Sequence, residues 1–135
     1  MKMSFSAAVA AFGKESLVKV DKVRRASALE VFSLVIDGSP VDTGLLRGNW
    51  QTAINSPRLS RIERLDPTGS TAKAEALANL GSMVDVVIMT NSLPYVERIE
   101  YEGYSAQAPD GMVRKAAAKW QRIVEAKAKA ILAQP

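Results

Sequence analysis

From Glu15 to Asp37 the chain keeps a helical apolar period, and Gly38-Ser39-Pro40 then forbids its continuation. Leu17, Val20, Val23, Val31 and Leu34 recur at helical spacings, with Lys19, Lys22, Glu30, Ser33 and Asp37 on the opposite side. Gly is favoured where a helix ends, and Pro has no amide hydrogen to continue one. Ala28 to Ile36 is apolar nearly all round, which predicts that this end of the helix is buried. A chain that commits so much of its length to one helix has little left for sheet.

The flanking segments follow from the same rules. Ser4 to Phe12 reads as a short amphipathic helix with Phe5, Val9 and Phe12 on one side, ended or kinked by Gly13. Asn49 to Asn55 alternates as a strand, with Trp50, Thr52 and Ile54 on one face. Ser56 to Gly69, with its charges, two Pro and one Gly, reads as a long exposed loop. Ser70 or Thr71 can cap a short helix running to Leu80. Val84 to Asn91 is β-branched and apolar, which predicts a strand covered on both faces. Pro94 can start the helical turn that follows it. Met112 to Leu132 reads as a long terminal helix with an apolar stripe of Val113, Ala117, Trp120, Val124 and Ile131. The expected architecture is α+β in one domain over residues 1–135. It has a long N-terminal helix, a small mostly antiparallel sheet, short helices and a long C-terminal helix.

Composition narrows the chemistry. The chain has no Cys and no His, which removes disulfides, thiolate chemistry, His general bases and His-ligated zinc. No run of residues is long and apolar enough for a membrane span, and no Gly-rich loop leads into a Lys-Ser or Lys-Thr pair. Glu97, Glu100 and Glu102 cluster around Arg98, a pattern that suits a solvated face or a salt bridge better than a divalent ion. No catalytic group, metal or cofactor is expected. The net charge of +4 permits an acidic partner. Arg114, Lys115, Lys119 and Arg122 make the last helix strongly basic, and this face is expected to meet DNA or an acidic neighbouring protein.

One triplet invites an enzymatic reading. Asp42-Thr43-Gly44 is also the catalytic triplet of retroviral-type aspartic proteases. Those enzymes are almost all β, and their triplet follows a buried strand. Here it follows a helix and a Ser-Pro break, and Leu45 stands after the glycine. The structural reading explains more. Asp42 and Thr43 oxygens can satisfy turn amides, Gly44 can take a positive φ or permit close approach, and Leu45 and Leu46 pin the corner to the core. Arg47 is expected in a salt bridge or interface, with Glu100 as a candidate partner. Trp50 and Tyr95 are expected to be apolar anchors with polar tips.

Three segments together carry a resemblance. Ser39-Pro40-Val41-Asp42-Thr43-Gly44 with Leu46-Arg47 and Asn49-Trp50 is the first. Asn91-Ser92-Leu93-Pro94-Tyr95 with Ile99-Glu100-Tyr101 is the second, and Gln107-Ala108-Pro109-Asp110-Gly111-Met112-Val113 is the third. In this order they resemble the signature of the tail-completion (neck) proteins of tailed bacteriophages, except that Glu102 separates Tyr101 from Gly103. The resemblance implies a structural virion protein without enzymatic activity. It would form a ring, most simply a hexamer, at the head–tail junction, after assembly in the host cytoplasm. Its neighbours would be connector, tail-terminator or tail-tube proteins, with genomic DNA in the channel. A tail terminator that caps the tube, and a basic nucleic-acid-binding module, are the alternatives.

Overall fold

The computed structural model describes residues 4–135. Its first element, α1 (Phe5–Asp37), is a single helix of 33 residues. The Ser4 hydroxyl caps it by accepting from the Ala7 amide at 3.2 Å. The expected break at Gly13 does not occur. Glycine inside a helix costs only about 1 kcal/mol relative to Ala, and helical residues on both sides carry the chain through. Gly38 follows the last turn in right-handed geometry, at φ −75°.

After the corner come a one-turn helix α2 (Leu45–Gly48) and strand β1 (Gln51–Ile54). The chain then runs through an irregular segment into α3 (Ser70–Ala78) and returns as β2 (Val87–Thr90). The two strands pair antiparallel, with Gln51 opposite Thr90 and Ile54 opposite Val87. The second strand is shorter than its apolar run suggested, because Val84 and Val86 are exposed rather than covered. Helix α4 (Val96–Glu102) follows the Pro94 turn. The expected single terminal helix is two pieces, α5 (Val113–Ala117) and α6 (Trp120–Leu132), separated at Ala118-Lys119. The architecture is thus α+β, with a two-stranded antiparallel sheet and helices at both ends.

The core lies where the C-terminal end of α1 meets α2, α4 and α5. Val35, Ile36, Leu46, Trp50, Leu93, Ile99 and Met112 are buried together there. Each large side chain so buried contributes about 1.5–3 kcal/mol. The buried face of the last two helices is set by Met112, Ala116 and Ile123, whereas Val113 and Trp120 of the expected stripe are partly exposed. Met112, Ala116 and Ile123, spaced by four and then seven residues, form one helical face beside the expected stripe, and packing against α1 selects that face.

The segment 56–69 is irregular and mostly exposed, as its composition predicts, yet it is tied down. Asn49 Nδ2 donates to the Ile62 carbonyl at 2.9 Å, and the Ile62 amide returns a bond to Asn49 Oδ1 at 2.9 Å. Gln51 Nε2 donates to the Ser60 carbonyl at 2.9 Å. Arg64 donates to the Gly48 and Trp50 carbonyls at 2.7 and 3.0 Å, and pairs with Glu75 at 2.8 Å. Asp66, not Ser70 or Thr71, caps α3: its carboxylate accepts from the Thr71 and Ala72 amides at 3.3 and 2.9 Å. The turn through Pro67-Thr68-Gly69 swings that carboxylate over the helix N-terminus, where negative charge is favoured.

Candidate interaction site at the helix α1 corner

The corner begins with the loose carbonyls at the end of α1. Ser39 Oγ donates to the Val35 carbonyl at 2.7 Å and accepts from the Trp50 indole Nε1 at 2.8 Å. Trp50 therefore has the buried ring and satisfied polar tip expected of it. The Arg47 guanidinium donates to three carbonyls, those of Asp37 at 2.8 Å, Ser39 at 3.0 Å and Pro67 at 2.8 Å. It closes the helix from outside, much as a cap would. Glu100 is not its partner. The fork of an arginine suits diverging carbonyls, and these lie nearer than any carboxylate.

Gly44 takes the left-handed conformation at φ +93°, and a Cβ there would lie 2.5 Å from the Pro67 nitrogen. Both expected uses of this glycine are thus realised at one residue. Thr43 Oγ1 accepts from the Leu45 amide at 3.3 Å. Asp42 differs from expectation: it is exposed, and its carboxylate accepts no hydrogen bond among the described residues. The turn needs one short polar side chain, and Thr43 supplies it.

Glu100 is buried on α4, with its carboxylate at the start of α5. It accepts from the amides of Met112 at 2.8 Å, Val113 at 2.7 Å and Arg114 at 3.1 Å. Arg114 Nε adds a charged bond at 3.0 Å, and its guanidinium also lies over the Tyr101 ring. Burial raises the Glu100 pKa, but the Val113, Met112 and Arg114 amides and the Arg114 side chain outweigh it, so the net shift is downward. Gly111, at φ +85°, lets the chain pass this carboxylate, since a Cβ would lie 2.8 Å from Glu100 Oε2. The three acids of α4 do not converge. Glu100 turns inward, and Glu102 pairs with Arg98 at 3.5 Å.

These bonds join segments far apart in sequence. Asn91 Nδ2 donates to the Leu46 carbonyl at 3.0 Å. The Gln107 side chain bridges the Val41 amide and carbonyl at 2.9 and 3.2 Å. Between them lies an open recess of about 420 Å³, walled by Pro40, Val41, Leu45, Tyr95, Ile99 and Tyr104, with Asp42 at its edge. Tyr95 is an anchor here, half-buried in the recess wall, while Pro94 is exposed in the turn. Comparison with family models, curated proteins and solved structures gives no match for this chain.

The basic residues of the last helices divide. Arg114 is committed to Glu100, and Lys115 and Lys119 line a second recess with Asp37 and Asp110. Arg122 stands in solvent. Sequence reasoning missed Arg64 and Asp66, and it named Asn49 within the first segment without its bonds to Leu45 and Ile62. A lone Asn before a Trp, or one Arg in a charged loop, carries no local signal of what it will bind.

Proposed function

We propose that this chain is a structural virion protein of a tailed bacteriophage, a ring-forming neck or tail-completion subunit that joins the tail to the DNA-filled head. One observation carries the reading. The three segments that resemble the family signature come together as one hydrogen-bonded unit, through Asn91 to Leu46, Gln107 to Val41, and Glu100 to the start of α5. Scattered matches arising by chance have no reason to meet in space. The bonds within this unit are structural, which suits a scaffold more than a reaction centre. Ring formation follows from head-to-tail contacts whose rotation closes, and a hexamer would match tail symmetry. Its neighbours would be connector, tail-terminator or tail-tube proteins at the head–tail junction. Arg122 and the other exposed cations of α6 would meet DNA or an acidic ring.

Deleting the gene and examining the lysate by electron microscopy tests this directly. DNA-filled heads and tails should both be present but unjoined, and a plasmid copy should restore infectious particles. Normal particles without the gene would end the proposal. Absence of heads would move the protein to capsid assembly.

A further inference from the structure

Among the described residues nothing covers the first turns of α1, before Lys19 meets the C-terminal tail through the Gln134 carbonyl at 2.8 Å. Every residue from Ser4 to Glu15 is exposed, including Phe5 at 85 % and Phe12 at 72 %. Val9 and Val20 are exposed on the same side, in line with Val23 and Ser27, which the body buries. The face that packs into the core thus runs on beyond it as an apolar arm, about 24 Å long from Phe5 to Val20 at the helical rise. An isolated helix of this length is marginal in water, and two bare phenyl rings add to the cost.

The corner recess is the complementary feature. It is open, walled mostly by apolar side chains, and has a volume of about 420 Å³. A cavity of about 150 Å³ suffices for a benzene ring. The chain cannot fill its own recess, because about 40 Å of continuous helix separates Phe12 from Pro40. Charge supports the pairing. Residues 1–20 carry Lys2, Lys14 and Lys19 against Glu15. Asp42 at the rim and Glu97 and Glu102 on α4 are exposed, against Arg98. A further apolar recess, along Ala26, Leu29, Leu77 and Leu80, is flanked by Lys22 and Arg25, which would repel a basic arm.

We infer that the α1 arm of one copy docks, through Phe5, Val9 and Phe12, in the corner recess of a second copy. Donor and acceptor are different surfaces, so the contact is head-to-tail and propagates from copy to copy. The inference deepens the ring reading above and rests on it for closure of the contacts. It assigns Asp42, whose carboxylate accepts no hydrogen bond among the described residues, a place at the rim of the interface.

The absence of cysteine allows a clean test. Purified Ala8→Cys and Asp42→Cys variants are mixed at high concentration and treated with a short bis-maleimide. The arm-to-recess heterodimer should dominate over either homodimer. Adding Phe5→Ser and Phe12→Ser to the arm variant should reduce it at least about tenfold, as loss of interface anchors does. Circular dichroism should show the body still folded, because neither ring packs in the core. A dominant Ala8→Cys homodimer would mean arm-to-arm pairing and would overturn the inference, as would cross-linking indifferent to the two Phe. Rings that form with the arm disabled would defeat the inference but spare the neck reading. An arm-dependent dimer from a gene dispensable for phage assembly would do the reverse.

Discussion

The Arg47 guanidinium reaches the Asp37 carbonyl at 2.8 Å, so a side chain from α2 closes the last turn of the longest helix. The same group holds Ser39 and Pro67, which ties together the corner and the segment leading to α3. Arg47→Ala should lower stability by about 2–4 kcal/mol, since bonds from a charged donor are worth more than neutral ones and the carbonyls lose their partner. Arg47→Lys should recover only part, because an ammonium cannot span three diverging acceptors. Urea denaturation at unchanged slope measures both. Equal stability of Arg47→Lys and wild type would refute the fork geometry.

Glu100 predicts a pH dependence. Its folded pKa lies below the ordinary carboxylate value, held there by amides and Arg114 against the opposing effect of burial. The folded state therefore prefers the ionised form. The stabilisation is fully present above the unfolded pKa of about 4.3 and is lost as pH falls through the folded value. Glu100→Gln should be less stable than wild type at pH 7 by about 1–3 kcal/mol. The gap should narrow as the medium is acidified below pH 4, read from thermal midpoints across pH. A gap that stays constant down to pH 3 would show that the charge is irrelevant.

Asn49 stitches the 56–69 segment to the body through both ends of its amide. The Ile62 amide should therefore exchange slowly in the isolated subunit, although its neighbours lie in an exposed loop. In Asn49→Ala that protection should vanish, with a stability loss of about 2 kcal/mol from the buried groups left unpaired. Amide exchange followed by mass spectrometry resolves the segment. Rapid exchange at Ile62 in the wild type would contradict the stitching.

Within the Asp42-Thr43-Gly44 triplet the effects should be very unequal. Gly44→Ala meets Pro67 backbone at 2.5 Å in a left-handed conformation, so the variant should lose several kcal/mol or fail to fold. Asp42→Asn should change monomer stability by no more than about 0.5 kcal/mol, as an exposed side chain without bonds does. Chemical denaturation separates the two. A large loss on Asp42→Asn would reveal a structural role that the geometry lacks.

What the sequence by itself determined is local. The end of α1 at Gly38-Ser39-Pro40, the α+β composition, the special backbone of Gly44 and the buried Trp50 with a bonded tip all follow from propensity, periodicity and steric limits acting over a few residues. Tertiary structure decided the rest. Gly13 is a local exception, held helical by the helical residues on either side rather than by packing. Asp66 replaces Ser70 as the cap of α3 because a turn aims it there. The terminal helix breaks and buries Met112, Ala116 and Ile123 because α1 offers its surface to that stripe. Arg47 finds carbonyls and Glu100 finds Arg114 because a long charged side chain binds whatever the fold brings within about 3 Å. A sequence records that such a group exists. Which of several acceptors it meets depends on chain paths that close only when the whole core has packed.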